Sequence, residues 1–462
     1  MVVTQVGSPA RIEAFEAQAL QARLLGELIL PGDASYEEAR QIANLAYDRY
    51  PTVIVRAADA GDVIRAVEFA RARDLPLAVR SGSHSIAGHS TVDGGVVVDL
   101  SRMKGLSIDP QRRTAWAQPG VTSADLVAAA QPHCLALSTG DTSSVGLGGL
   151  TTGGGIGWLV RKHGLTIDNL LSVEVVTADG RIVVASEDQH PDLFWAVRGG
   201  GGNFGIATGF EFQLHHAPDF VGGLLLLPST PEVLSGYIEY AAAAPDELTT
   251  ISLVMLAPPL PFIPEAAHGT QILMIHVAYD GDMESALPVL EPLRKLAAPV
   301  ADLIGPMPYG DIYQFTEMLT ERHHAQIRSG YMHELSLEEA AIIVKYVDDH
   351  PSPSGLVQLR GLGGAMARVA PEETAFAHRD KDVFLAIINM GPGEEDVQWT
   401  EGLWQLLRPQ VSGVYVNFLG NEGEARIHEA YPPATYARLA EVKRAYDPSN
   451  VFRLNQNIQP AE

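Results

Sequence analysis

Between Gly140 and Gly157 the chain reads GDTSSVGLGGLTTGGGIG, with eight glycines in eighteen residues. Glycine at this density opposes regular helix or strand, because each one adds backbone freedom that folding must remove. It suits backbone that must lie close to a ligand or to another segment. A flat aromatic ring can rest on a surface without side chains. A set of tight turns satisfies the same text.

The flanking sequence supplies a frame. Val53-Ile54-Val55 is a short β-branched run, and the text from Asp62 (DVIRAVEFARARDL) has helical spacing, with Val63, Ala66, Val67 and Ala70 on one side. Leu77-Ala78-Val79 and Val96-Val97-Val98 read as buried strands. This β-α-β order points to an α/β unit. Thr122 or Ser123 is placed to cap a second helix through Ala130. Leu171 to Ala185 reads as a hairpin about Asp179-Gly180, and Ile206 to Leu214 alternates as a strand. After His216 proline becomes frequent (Pro218, Pro228, Pro231), and a different mixture of helices and strands runs to about Ser412. The text holds no internal repeat, so a solenoid is excluded.

Composition limits the partners. The 462 residues are 46% hydrophobic and 19% charged, enough to bury large cores, and at roughly 100–200 residues per domain they suggest two to four domains. The net charge of -24 repels phosphate backbones and anionic lipid, so neither nucleic acid nor membrane is an expected partner. A local basic site for a small anion stays open. The single cysteine, Cys134, rules out an intrachain disulfide and fits a reducing compartment. The opening MVVTQVGSPARIEAFEAQAL has no basic start followed by an apolar run, and no stretch approaches the ~18 apolar residues of a membrane span. A cytoplasmic protein is expected, with no metal site.

Two further segments carry chemistry. Arg80-Ser81-Gly82-Ser83-His84-Ser85 follows a predicted strand, and its small residues allow successive N–H groups to form an anion nest, with hydroxyl donors and the charge of Arg80 beside it. That would hold a pyrophosphate. A plain Ser/Gly loop with a surface histidine has the same appearance. In RGGGGNFG, Gly200, Gly202 and Gly205 match the spacing of a dinucleotide fingerprint. The IATGFEFQL that follows alternates as a strand instead of opening a helix, so a Rossmann site is not expected.

RSGSHS, VGLGGLTTGGGIG, RKHGLTIDN, DLFWAVRGGGGNFG, YVNF and FRLNQNI occur in that order from about residue 46 to the C-terminus. In this the chain resembles the berberine bridge enzyme-like flavoproteins of the vanillyl-alcohol oxidase and p-cresol methylhydroxylase superfamily. The resemblance implies an α+β protein. A two-part α/β FAD-binding domain (1–217, flavin core about 46–217) would be completed by a returning segment (413–462). A substrate domain (218–412) would form an antiparallel sheet flanked by helices. His84 matches the histidine bonded to the flavin 8α-methyl carbon. Arg80, Ser81, Gly82, Ser83 and Ser85 match the pyrophosphate loop. Thr142, Val145, Gly146, Gly149, Gly153, Gly154 and Gly157 match positions along the cofactor. Gly205 and Ile206 fall at its adenine end, Tyr415 and Asn417 beside the flavin, and Asn455 and Asn457 in the closing motif. The implied chemistry is loss of hydride from a carbon bearing oxygen or nitrogen to the flavin.

The chain departs from the family at three places. Where many members have a second, cysteinyl link there is Thr142, so one link is expected; Cys134, eight residues earlier, reads as a small core residue. The usual Gly-Gly-His is Gly-Ser-His, a change that a nest tolerates. Phe418 replaces a tyrosine that serves as base in some relatives, and a phenyl ring accepts no proton. Tyr309, Tyr313, Tyr331 and His333 of the middle segment are the alternative candidates, each with an ordinary packing or surface reading. The resemblance implies that Val145, a small β-branched residue at its position, gives oxygen access, and hence an oxidase acting on an alcohol, a hemiacetal sugar or an amine, with O2 as acceptor. A dehydrogenase using another acceptor and a flavin-holding protein without catalysis are the competing readings.

Overall fold

The computed structural model describes residues 12–462. The reading of the extreme N-terminus lies largely outside those residues. Among them, no helix is long and apolar enough to cross a membrane.

Helices and sheets are mixed in an α+β arrangement. The first sheet has Val96–Asp99 at its centre, paired in parallel with Val53–Arg56 and Leu77–Arg80, while Glu27–Ile29 runs antiparallel at the edge. Parallel strands need a crossover, and helix Ala60–Ala72 supplies it between Val53–Arg56 and Leu77–Arg80. Asp59 caps that helix by accepting from the Asp62 N–H, and Val63, Ala66, Val67 and Ala70 are buried as the spacing required.

The second sheet is five-stranded and antiparallel, in the order Leu106–Asp109, Thr114–Ala117, Ile206–Gln213, Leu170–Val176, Ile182–Ser186. The predicted hairpin joins its last two strands, with Gly180 at φ +82° in the turn. Helix Ser123–Ala130 packs against this sheet and is closed by a reciprocal box in which Thr122 and Asp125 satisfy each other's backbone N–H.

The third sheet has eight strands, all antiparallel, drawn from Val221–Pro228 through Val383–Asn389. One face is covered by helices Pro231–Ala243, Met283–Arg294, Leu337–Asp349 and Glu394–Leu407; Val357, Leu359, Leu385 and Ile387 point into that core. Residues of opposite parity, among them Gln358, Arg360 and Ile388, line a cavity against the N-terminal half.

The C-terminal stretch returns to the first half. Val414, Leu419, Tyr431, Leu439 and Ile458 share one core with Leu126, Val173 and Phe210. Lys443, on helix Pro433–Tyr446, is fully buried, and its Nζ donates to the Asp447 carboxylate at 2.7 Å and to the carbonyls of Asn203 (2.7 Å) and Phe452 (2.9 Å). Burial pulls the ammonium pKa down, and Asp447 opposes the shift. Asp447 also accepts the N–H groups of Val451 and Phe452. This pair ties the glycine-rich Gly199–Gly205 loop to the chain end. Replacing one member of such a pair strands the other charge in the interior. Lys443→Met is therefore expected to lower unfolding free energy by about 3–5 kcal/mol, read from the urea midpoint of purified protein.

Candidate functional site

A cavity of about 390 Å3 lies between the first two sheets and the polar face of the third. One wall is the loop after strand Leu77–Arg80. His84 lies there, its Nε2 2.8 Å from the Ser144 Oγ. Burial holds its pKa down at about 4, with the nearby charge of His323 adding and that of Asp141 opposing. The imidazole is neutral near pH 7 and keeps a nitrogen lone pair.

The His84 loop fits against the glycine-rich run because both lack side chains where they cross. A Cβ on Gly82 would stand 2.3 Å from the Gly146 nitrogen, and a Cβ on Gly146 would stand 2.0 Å from the Ser81 Oγ. Ser83 takes φ +66°, a left-handed conformation that L side chains adopt at a cost. Serine at this place thus carries a conformational cost that glycine would not, in the left-handed geometry that a nest uses.

Arg80 lines the cavity, but its charge is committed. It is buried, with Nη2 2.8 Å from the Asp99 carboxylate, the residue facing it across the parallel strands. An anion in the loop would meet backbone N–H groups and hydroxyls more than a free guanidinium. The glycine run is also less irregular than its composition suggests. Leu147–Gly153 forms a short helix, anchored by Leu147 and Leu150 in the core.

Ser81, Gly82, Ser83, Ser85, Thr142, Val145, Gly146, Gly149, Gly205, Ile206, Tyr415, Asn417 and Asn455 all line the same cavity. Gly153, Gly154, Gly157 and Asn457 do not. A Cβ on Gly153 would fall 2.1 Å from the Asn417 Oδ1, one on Gly157 1.3 Å from the Thr139 carbonyl oxygen, and Gly154 has φ +135°. These three glycines let the wall pack against what lies behind it. Tyr415 is held by two donors to its hydroxyl oxygen, the Gly155 N–H at 2.8 Å and the Asn417 Nδ2 at 2.9 Å.

None of Tyr309, Tyr313, Tyr331 and His333 lines the cavity. Tyr309 is buried against Phe220, and the Tyr313 hydroxyl bonds the Thr139 Oγ1 at 2.8 Å. Tyr331 is buried between Phe384 and His378. His333 is exposed, with Nε2 3.0 Å from the Lys381 ammonium. Cys134 is exposed rather than in the core, at φ +53° where a short helical turn ends.

Sequence reading missed the polar residues that the roofing sheet turns toward the cavity. Arg360 is buried; its Nη2 lies 2.5 Å from the Asp141 Oδ2, its Nε donates to the Gln358 Oε1 at 2.9 Å, and it stands over the Phe418 ring at 5.1 Å. Two polar residues alternating with apolar ones in LVQLRG, a buried strand, were the available signal.

The cavity suits a flat, phosphate-bearing cofactor. Gly149, Gly201 and Gly202 leave open space where a side chain would project, and the Asn455 Oδ1 and His89 Nε2 are buried with no hydrogen-bond partner among the described residues. Comparison with known proteins agrees. The family described as "FAD binding domain" matches residues 51–186, and "Berberine and berberine like" matches 414–459. The chain is 33% identical to (R)-6-hydroxynicotine oxidase of Paenarthrobacter nicotinovorans, over 94% of this chain and 97% of that one. It belongs to the berberine bridge enzyme-like FAD-linked oxidoreductases. It is 32% identical to the FAD-linked oxidoreductase YgaK of Bacillus subtilis, over 95% of this chain and 98% of that protein. The crystal structure of 6-hydroxy-D-nicotine oxidase from Arthrobacter nicotinovorans superposes with a TM-score of 0.86 at 31% identity, covering 95% of this chain and 98% of that one. The chain is accordingly an FAD-dependent oxidoreductase, and named relatives are oxidases of small molecules. The left-handed Ser83 yields a prediction for this family member: Ser83→Gly should raise stability by about 0.5–1 kcal/mol, seen as a higher thermal midpoint.

Proposed function

We propose that the protein is an oxidase whose FAD is bonded once to the protein, through His84, and that it takes hydride from a C–H next to oxygen or nitrogen in a small organic substrate, passing the electrons to O2. In this reading residues 1–217 with 413–462 form the FAD-binding domain and 218–412 the substrate domain. A cytoplasmic location accords with the single cysteine. The observation that carries the reading is His84 itself: a half-buried, neutral imidazole at the wall of a glycine-lined cavity. A neutral ring nitrogen is a nucleophile, and a protonated one is not.

The bound flavin supplies the redox chemistry, as an acceptor of two electrons. The chain's part is to hold and shield it. The Ser81–Ser85 loop and the open faces of Gly201 and Gly202 fit the phosphate-bearing part, while Tyr415 and Asn417 stiffen the wall beside the reactive end. Thr142 offers no sulfur, and Cys134 lies outside the cavity, which supports a single link. (R)-6-hydroxynicotine oxidase and chitooligosaccharide oxidase, both relatives, are named for an amine-bearing and a sugar substrate.

Wild-type protein precipitated with acid should keep its yellow colour in the pellet, and His84→Ala should release the flavin into the supernatant. A coloured His84→Ala pellet would falsify the histidyl link.

Val145 lines the cavity and its N–H donates to the Thr142 carbonyl. One added methylene there is felt in a closely packed wall. Val145→Leu should slow reoxidation of dithionite-reduced protein by air while FAD content stays the same. Equal stopped-flow rates for the two proteins would favour a dehydrogenase with another acceptor.

A further inference from the structure

We infer that Asp141 and Arg360 form a proton-accepting and oxygen-binding pair, and that the substrate is a hydroxyl compound, an alcohol or hemiacetal, rather than an amine. The inference rests on the oxidoreductase reading above and narrows its substrate class.

Asp141 is the one carboxylate among the residues lining the cavity. It follows Gly140 and precedes Thr142, on the same wall as Val145 and within electrostatic reach of His84. Its Oδ2 is taken by Arg360, whereas Oδ1 has only a long bond, 3.3 Å, from the Thr142 Oγ1. One oxygen therefore retains acceptor capacity toward the cavity. Arg360 is fixed on its other side by Gln358, which accepts from Nε at 2.9 Å and from Nη2 at 2.8 Å, and by the Phe418 ring beneath it. Its Nη1 has no hydrogen-bond partner among the described residues. It is also absent from the fully buried unpartnered atoms, so it meets open space. The guanidinium is held still with one nitrogen on offer, as a preorganised donor should be.

The two groups differ in what they ask of a ligand. Asp141 accepts a proton-bearing atom, and Arg360 donates to a lone pair. A hydroxyl oxygen meets both demands at one atom. An alkylamine is mostly a cation near pH 7 and in that form offers no lone pair to Nη1 and is repelled by the Arg360 charge; its neutral form, the one able to lose hydride, is the minor one. The expected step balances as follows. The substrate O–H bond breaks and its proton passes to the Asp141 Oδ1. The adjacent C–H bond would break, its electron pair leaving with the hydrogen as hydride to the two-electron acceptor that bound FAD would supply. The C–O bond becomes C=O, and the oxygen, negatively charged as the proton departs, is stabilised by Arg360 Nη1. Asp141 then releases its proton to water. Phe418, which cannot accept a proton, is consistent with a base elsewhere on the wall.

Anaerobic mixing of the FAD-loaded enzyme with a panel of primary alcohols, reducing sugars and secondary amines tests this through loss of flavin absorbance. Alcohols or sugars should bleach the flavin and amines should not. Asp141→Asn keeps the shape and a hydrogen bond to Arg360. It should slow bleaching by about 100-fold or more with FAD content unchanged, and Asp141→Glu should recover part of the rate. Arg360→Lys, which keeps the charge but loses the fork, should chiefly raise the half-saturating concentration. Bleaching by amines alone, or wild-type rates in Asp141→Asn, would overturn the assignment. If no compound bleaches the flavin, binding read from perturbation of its visible spectrum decides: alcohols and sugars binding no better than amines contradicts the proposal. A protein that holds no flavin would instead remove the reading on which it rests.

Discussion

The crossing of two backbones at Gly82 and Gly146 is the contact on which the rest of the cavity depends. No side chain fits between them, since a Cβ on either would fall within 2.3 Å of the other strand of chain. Their closeness brings His84 to Ser144, sets Val145 and Thr142 on the same wall, and turns the loop after strand Leu77–Arg80 toward the enclosed space. Arg80 contributes by binding Asp99 across the parallel register, which fixes the end of the strand from which the loop departs. Burying this pair is acceptable because each charge meets its opposite at hydrogen-bond distance.

The cavity is enclosed only when the third sheet covers it. That sheet is apolar toward its helices and carries Gln358 and Arg360 on the other face. The Arg360–Asp141 ion pair joins residues 219 positions apart and so links roof to wall. Charged groups placed in this way are rigid before any ligand arrives, which is the condition under which an electrostatic contact assists a reaction most.

Much of this was legible because its causes are local. Val53-Ile54-Val55, the helix after Asp59, the Thr122 cap and the Asp179-Gly180 turn each follow from residues within a few positions, and each is present. The ordered glycine and histidine motifs reached further, since close approach of backbone leaves a compositional trace. What escaped depends on distance. The pairing of Arg80 with Asp99 needs the parallel register, and that of Asp141 with Arg360 needs the roof to be in place. Tyr309 and Tyr331 read as candidates because tyrosine carries a proton, but packing against Phe220 and Phe384 takes both away from the cavity. Cys134 reads as a core residue by type, yet the left-handed turn leaves it at the surface.

The central claim is that His84 carries the flavin, and the most direct measurement is mass spectrometry of a tryptic digest of holoenzyme. Cleavage after Arg80 and Arg102 releases one peptide, Ser81–Arg102, holding both His84 and His89. The account predicts that this peptide carries the flavin mass and that fragmentation assigns it to His84. A flavin on His89, on the peptide containing Cys134, or on no peptide at all would contradict it.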